Sequence, residues 1–279
     1  MKNEIIKDNE NIIAHAFLSC ANYSSKGIGK NELLYCLSKE IQDSGNGYAG
    51  FSTKENLDNY LREAVFDKFD DKGQYTFALD NKQIIETIKA AVMVCSKYLS
   101  GNIINVFVFP TFSQFVKEKM SGATGYTPWR DTILVFINPT NPQWKRALME
   151  TVGHEFNHAV FLRDKECGSL LDSLIFEGLA EHFREQTIGG DLASWTTVLN
   201  LDQAKTIFSE IKSKNQLLST DPNIRQEIFF GGEKYARWSG YSLGYYIVGS
   251  FLKNNPKLNW QEIMAISPEE ILNNSGFGE

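Results

Sequence analysis

The chain lacks paired cysteines. Cys20, Cys36, Cys95 and Cys167 stand far apart, so neither a disulfide framework nor a cysteine zinc site is indicated. No run approaches the roughly 18 apolar residues that a membrane span needs, and residues 245–252, the longest candidate, fall far short. The opening Met-Lys-Asn-Glu leads into ten charge-bearing residues with no apolar stretch like that of a signal peptide, which reads as a cytoplasmic protein with no membrane partner. Positive charge is also in short supply. Lys and Arg number 28 against 34 Asp and Glu, a net charge of −6, which argues against a general polyanion binder, so no nucleic-acid partner is expected. There is no internal repeat and no low-complexity tract. Histidine is scarce too, with only four in 279 residues.

Two of those four decide the reading. His154-Glu155-Phe156-Asn157-His158 puts two imidazoles one helical turn apart on one face, with a carboxylate beside them. This H-E-x-x-H arrangement supplies two zinc ligands and a general base from a single turn. With 4 His and 21 Glu in the chain, composition alone would produce it roughly 0.004 times, so chance is a poor rival. The flanking Thr151, Val152, Phe156, Asn157, Ala159 and Val160 are uncharged, as a buried metal helix requires, because an unpaired charge there is costly to desolvate. Asn141-Pro142 offers a cap and a first-turn proline. Trp144, Ala147, Leu148, Thr151 and Val152 continue the apolar stripe, giving an expected helix over residues 142–162.

A catalytic zinc takes a third protein ligand and keeps one position for water. The pattern with a third histidine would need Gly at 161 and His at 164, where this chain has Phe161 and Asp164. Glu177, nineteen positions after His158, lies in a second expected helix opened by Gly168-Ser169, with Leu170, Leu171, Leu174, Ala180 and Phe183 as its apolar positions. Gly178 weakens such a helix by about 1 kcal/mol relative to Ala, and close approach of the two metal-bearing helices would explain it. Glu181, one turn beyond Glu177, is placed to accept a hydrogen bond from a ligand imidazole. His182 points to another face and reads as structural. His15 reads as no ligand.

Here the chain resembles a known group. His-Glu-x-x-His, followed after eighteen residues by Glu and then Gly-x-Ala, resembles the gluzincin metallopeptidases, notably the zinc aminopeptidases. The run 152–183, with Gly240-Tyr241-Ser242-Leu243-Gly244-Tyr245-Tyr246 and the ending 267–277, resembles a bacterial family of predicted zinc-dependent proteases named as a domain of unknown function. The likeness covers roughly residues 100–279. It implies an α+β fold, a mainly helical zincin-like metallopeptidase domain with a small β-sheet. It also implies one Zn2+ per chain held by His154, His158 and Glu177, and a peptide or protein substrate. Glu155 would then take the proton of the attacking water and hand it to the leaving amine. In the zinc aminopeptidases the oxyanion donor lies in a Tyr-x-Lys-Gly pattern. Tyr241-Ser242-Leu243-Gly244 resembles that pattern without the lysine, and Tyr245 is the reserve candidate.

Two domains are expected, residues 1–82 and 83–279. In the first, helices are expected over 9–21, 30–41 and from the capping-box signature Ser52-Thr53-Lys54-Glu55 onward, then a strand over 74–79. This is winged-helix-like in outline. Its 10 Lys and Arg against 13 Asp and Glu present no basic face, so the module is expected to contact protein and not DNA. A helix over 82–99 leads to strands over 103–109 and 132–137, with a turn-rich connection over 122–128 between them. In gluzincin-like folds an edge strand before the metal helix binds extended peptide by strand addition, which the connection could do. The leading function is a zinc-dependent peptidase. The alternative is a regulatory protein whose N-terminal module controls a metalloprotease that cleaves or senses its partner.

Overall fold

The computed structural model describes residues 1–19, 29–66, 80–100 and 103–277. It is an α+β chain that divides into two compact units, Met1–Val160 and Phe161–Glu279.

The first unit is built on a five-stranded sheet. Strand β1 (Lys2–Asp8) turns through Asn9, in the left-handed region at φ 54°, into β2 (Asn11–Leu18). Helices α1 (Lys30–Asp43), α2 (Lys54–Val65) and α3 (Asn81–Cys95) follow, then β3 (Ile104–Pro110), α4 (Gln114–Lys119), β4 (Ala123–Trp129), β5 (Thr132–Ile137) and α5 (Trp144–Phe161). The strand order is β1-β2-β3-β5-β4. The two outer pairings are antiparallel, and β2, β3 and β5 run parallel.

Burial explains the layers. On one face Phe17, Phe107, Phe109, Leu134 and Phe136 form a core with Leu33, Leu37 and Ile41 of α1 and Leu57, Leu61 and Val65 of α2. Phe17 and Phe107 stack at 4.7 Å. Ile84, Ile88, Ala91, Val92 and Cys95 form the buried stripe of α3 at helical spacing, and α3 packs on β1 and β2.

Several sequence expectations need correction. Residues 9–21 were expected as helix, but Asn11–Leu18 is strand β2. Its short apolar run fits either period, and pairing with β1 and β3 settles it. The winged-helix outline therefore loses its first helix, while its expected strand over 74–79 lies outside the described residues. The sheet takes strands from both sides of residue 82. The cap of α2 is Thr53, whose side chain accepts the Asn56 N–H at 3.1 Å, and not Ser52. The expected connection over 122–128 is mostly strand β4. Gly125 and Pro128 are tolerated there because β4 is an edge strand. Between Tyr126 and Trp129, β4 also carries one residue more than the facing Leu134-to-Thr132 stretch, a bulge that spares Pro128 any ladder bond.

The second unit is helical: α6 (Leu170–Thr187), α7 (Leu201–Ser213), α8 (Pro222–Phe230), α9 (Ser239–Asn254), α10 (Trp260–Ala265) and α11 (Pro268–Ser275). Ser169 and Asp172 close a reciprocal capping box at the start of α6. The α6–α9 pair is its centre. Among the described residues no helix is long and apolar enough to cross a membrane.

Candidate metal centre

Helix α5 carries the histidines. Its first helical residue is Trp144, two positions later than expected. The expected cap still acts, since Asn141 Oδ1 accepts the Gln143 N–H at 2.7 Å. Val152, Phe156 and Ala159 are buried, which turns the face bearing His154 and His158 to a fixed azimuth. The two imidazole rings lie edge to face, centroids 4.5 Å apart.

Strand β4 crosses α5 at Glu155. A Cβ on Gly125 would stand 2.5 Å from Glu155 Cγ and 2.7 Å from Thr151 Cγ2, so only glycine permits this approach. Two residues on, the Thr127 hydroxyl donates to Glu155 Oε2 at 2.7 Å. Glu155 and Thr127 are both buried. Sequence reasoning missed Thr127. The one available signal was a glycine inside an extended stretch, which marks a close backbone approach.

Glu177 is buried on α6. One ligand atom each from His154, His158 and Glu177 lie within 4.8 Å of one another. Ligands about 2.1 Å from a tetrahedral zinc stand about 3.4 Å apart, so small side-chain rotations close the set. Two imidazoles and one carboxylate are the donor chemistry of a catalytic zinc site, and the residues present fit that group.

Glu181 is held within its own unit. Its carboxylate accepts Arg184 Nη2 at 3.0 Å and Trp195 Nε1 at 2.5 Å. Arg184 Nη1 donates to the carbonyls of Gly189 and Asp191. Glu181 and Arg184 are 1% and 3% exposed, so this is a buried pair whose donors and acceptors are matched.

Gly178 has its reason, though not the expected one: it meets α9. A Cβ there would lie 2.3 Å from the Gly244 carbonyl oxygen. His182, read as structural, packs in the same α6–α9 seam. Its Nε2 stands 2.9 Å from the Tyr245 carbonyl and its ring stacks on Tyr245 at 4.2 Å. Burial lowers its pKa. The Tyr245 hydroxyl donates to Glu185 Oε2 at 3.0 Å, and burial, with Glu185 adding to it, pushes its pKa well up. Tyr241 opens α9 half-buried, edge to face with Phe229 at 5.1 Å.

The model of a family described as "Predicted Zn-dependent protease (DUF2268)" matches residues 84–273. The chain belongs to this family. The matched span holds His154, Glu155, His158, Glu177, Glu181 and Tyr241, and it leaves out β1, β2, α1 and α2. "Uncharacterized protein YjaZ" of Bacillus subtilis (strain 168) is 27% identical over 124 residues, 43% of this chain and 47% of that protein. The chain thus matches about half the length of this relative. No solved structure matches it significantly.

Proposed function

We propose that the chain is a zinc-dependent peptidase, with His154, His158 and Glu177 holding one Zn2+. The observation that supports this best is the convergence of those three ligand atoms within 4.8 Å, in a family described as Zn-dependent proteases. Zinc held there would supply a Lewis acid and lower the pKa of a bound water to about 7. Glu155 removes a proton from the attacking water and returns it to the leaving amine. Tyr241 donates a hydrogen bond to the developing oxyanion. The outer edge of β4 pairs with an extended peptide backbone, which brings the scissile bond alongside Glu155.

Metal analysis of the purified chain and cleavage of a quenched fluorescent peptide mixture test this together. About one zinc per chain is expected, with hydrolysis that collapses in Glu155→Gln while its zinc remains. Wild-type hydrolysis rates in the Glu155→Gln protein would sink the general-base mechanism.

A further inference from the structure

Three features of β4 converge on Glu155. The first is the Thr127 hydroxyl, 2.7 Å from Glu155 Oε2 and 3.2 Å from the Glu155 carbonyl oxygen. A hydroxyl has a single proton, and the nearer, charged oxygen is the stronger acceptor. The second is Gly125, whose missing side chain leaves room for the carboxylate, since a Cβ would lie 2.8 Å from Oε1. The third is the extra residue of β4 between Tyr126 and Trp129. A bulge re-aims the side chain it carries, and here it keeps Thr127, like Gly125, facing α5 even though strand alternation is interrupted. An ordinary buried strand threonine needs none of this, because valine fills the same space.

We propose that Thr127 is a positioning residue: its hydroxyl fixes the Glu155 carboxylate through Oε2 and presents Oε1 to the proton that Glu155 moves. The inference rests on the peptidase reading and adds a residue to it. The edge strand that would pair with the substrate also orients the base.

The test compares Thr127→Val, which keeps the shape and removes the proton, with Thr127→Ser, which keeps the proton, in the full zinc-loaded chain on the quenched peptide mixture. Thr127→Val should lower kcat by about 10- to 100-fold, the scale of loss when a reacting group is misplaced. KM, zinc content and melting temperature should stay close to wild type, and Thr127→Ser should recover most of kcat. Gly125→Ala, which displaces the same carboxylate from the other side, should also lower kcat with zinc retained. An unchanged kcat in Thr127→Val overturns the inference, and so does a loss that Thr127→Ser fails to rescue. If the wild type itself cleaves none of the peptides, the peptidase reading fails. Crystal structures of wild type and Thr127→Val then decide the positioning separately. A rotated Glu155 carboxylate in the variant supports it, and an unmoved one overturns it.

Discussion

Gly178 and Gly244 meet backbone to backbone where α6 crosses α9. A Cβ on Gly178 would lie 2.3 Å from the Gly244 carbonyl oxygen, and one on Gly244 would lie 2.1 Å from the Leu174 carbonyl oxygen. Neither obstacle is a flexible side chain, so the helices themselves must separate. Gly178→Ala and Gly244→Ala should each cost about 1–3 kcal/mol or more, the range for overpacking a close contact, despite alanine's better helix propensity. Thermal unfolding of both variants measures this. Melting temperatures equal to wild type would show that the seam is looser than its geometry.

The ligand set predicts a pattern of metal loss. His154→Ala, His158→Ala and Glu177→Ala should each remove most of the zinc, read by metal analysis after dialysis. Full occupancy in Glu177→Ala would mean the third ligand is elsewhere, and Glu181 would be the first residue to try next.

Two tyrosines should separate. Tyr241→Phe is expected to lower kcat by roughly 10²–10³, with a much smaller rise in KM, as for other oxyanion donors. The Tyr245 hydroxyl is engaged with Glu185, so Tyr245→Phe should leave kcat near wild type. The opposite pair of results would transfer the role to Tyr245.

His182 should give stability an acid limb. Burial holds its pKa below the usual 6.5, against the raising influences of the Tyr245 carbonyl and Glu181, with Arg184 lowering it further; Nδ1 also faces Glu185 Oε2 at 3.9 Å. A depressed folded pKa means the unfolded chain takes up the proton first. The stability tied to neutral His182 is then present above about 6.5 and is lost as pH falls toward the folded value. Glu185 acts in the opposite sense. Burial raises its pKa, so its contribution is present at low pH and lost as pH rises through that raised value. Denaturant titrations from pH 7.5 to 5 should show the His182 slope, and His182→Gln should flatten it. An identical slope in the variant would assign the limb to another group.

Much of the site could be read without coordinates because its signals are local. The His154-to-His158 spacing and the Ser169 cap depend on neighbours within a turn, and α3, β3 and β5 carry strong periodic or β-branched runs. The failures are all long-range. Residues 11–18 became strand through pairing with β1 and with β3, some ninety positions away. Gly178 owes its place to a helix more than sixty residues later. Thr127 acquires a role only because β4 folds across α5, 28 positions on. Its segment, rich in Gly and Pro, looked like a connection because an edge strand tolerates those residues.

The stretch that names the family should not be mistaken for a piece that could be cut free. Residues 84–273 begin inside α3, yet β3 is paired along one side by β2, and Phe107, Phe109 and Phe136 are roofed by α1 and α2. Trimming to the shared stretch would strip β3 of its neighbour and bare that aromatic surface. A long apolar strand with unsatisfied N–H and C=O groups recruits other chains. The hairpin and helices outside the family's common span thus act as this chain's own guard against self-association.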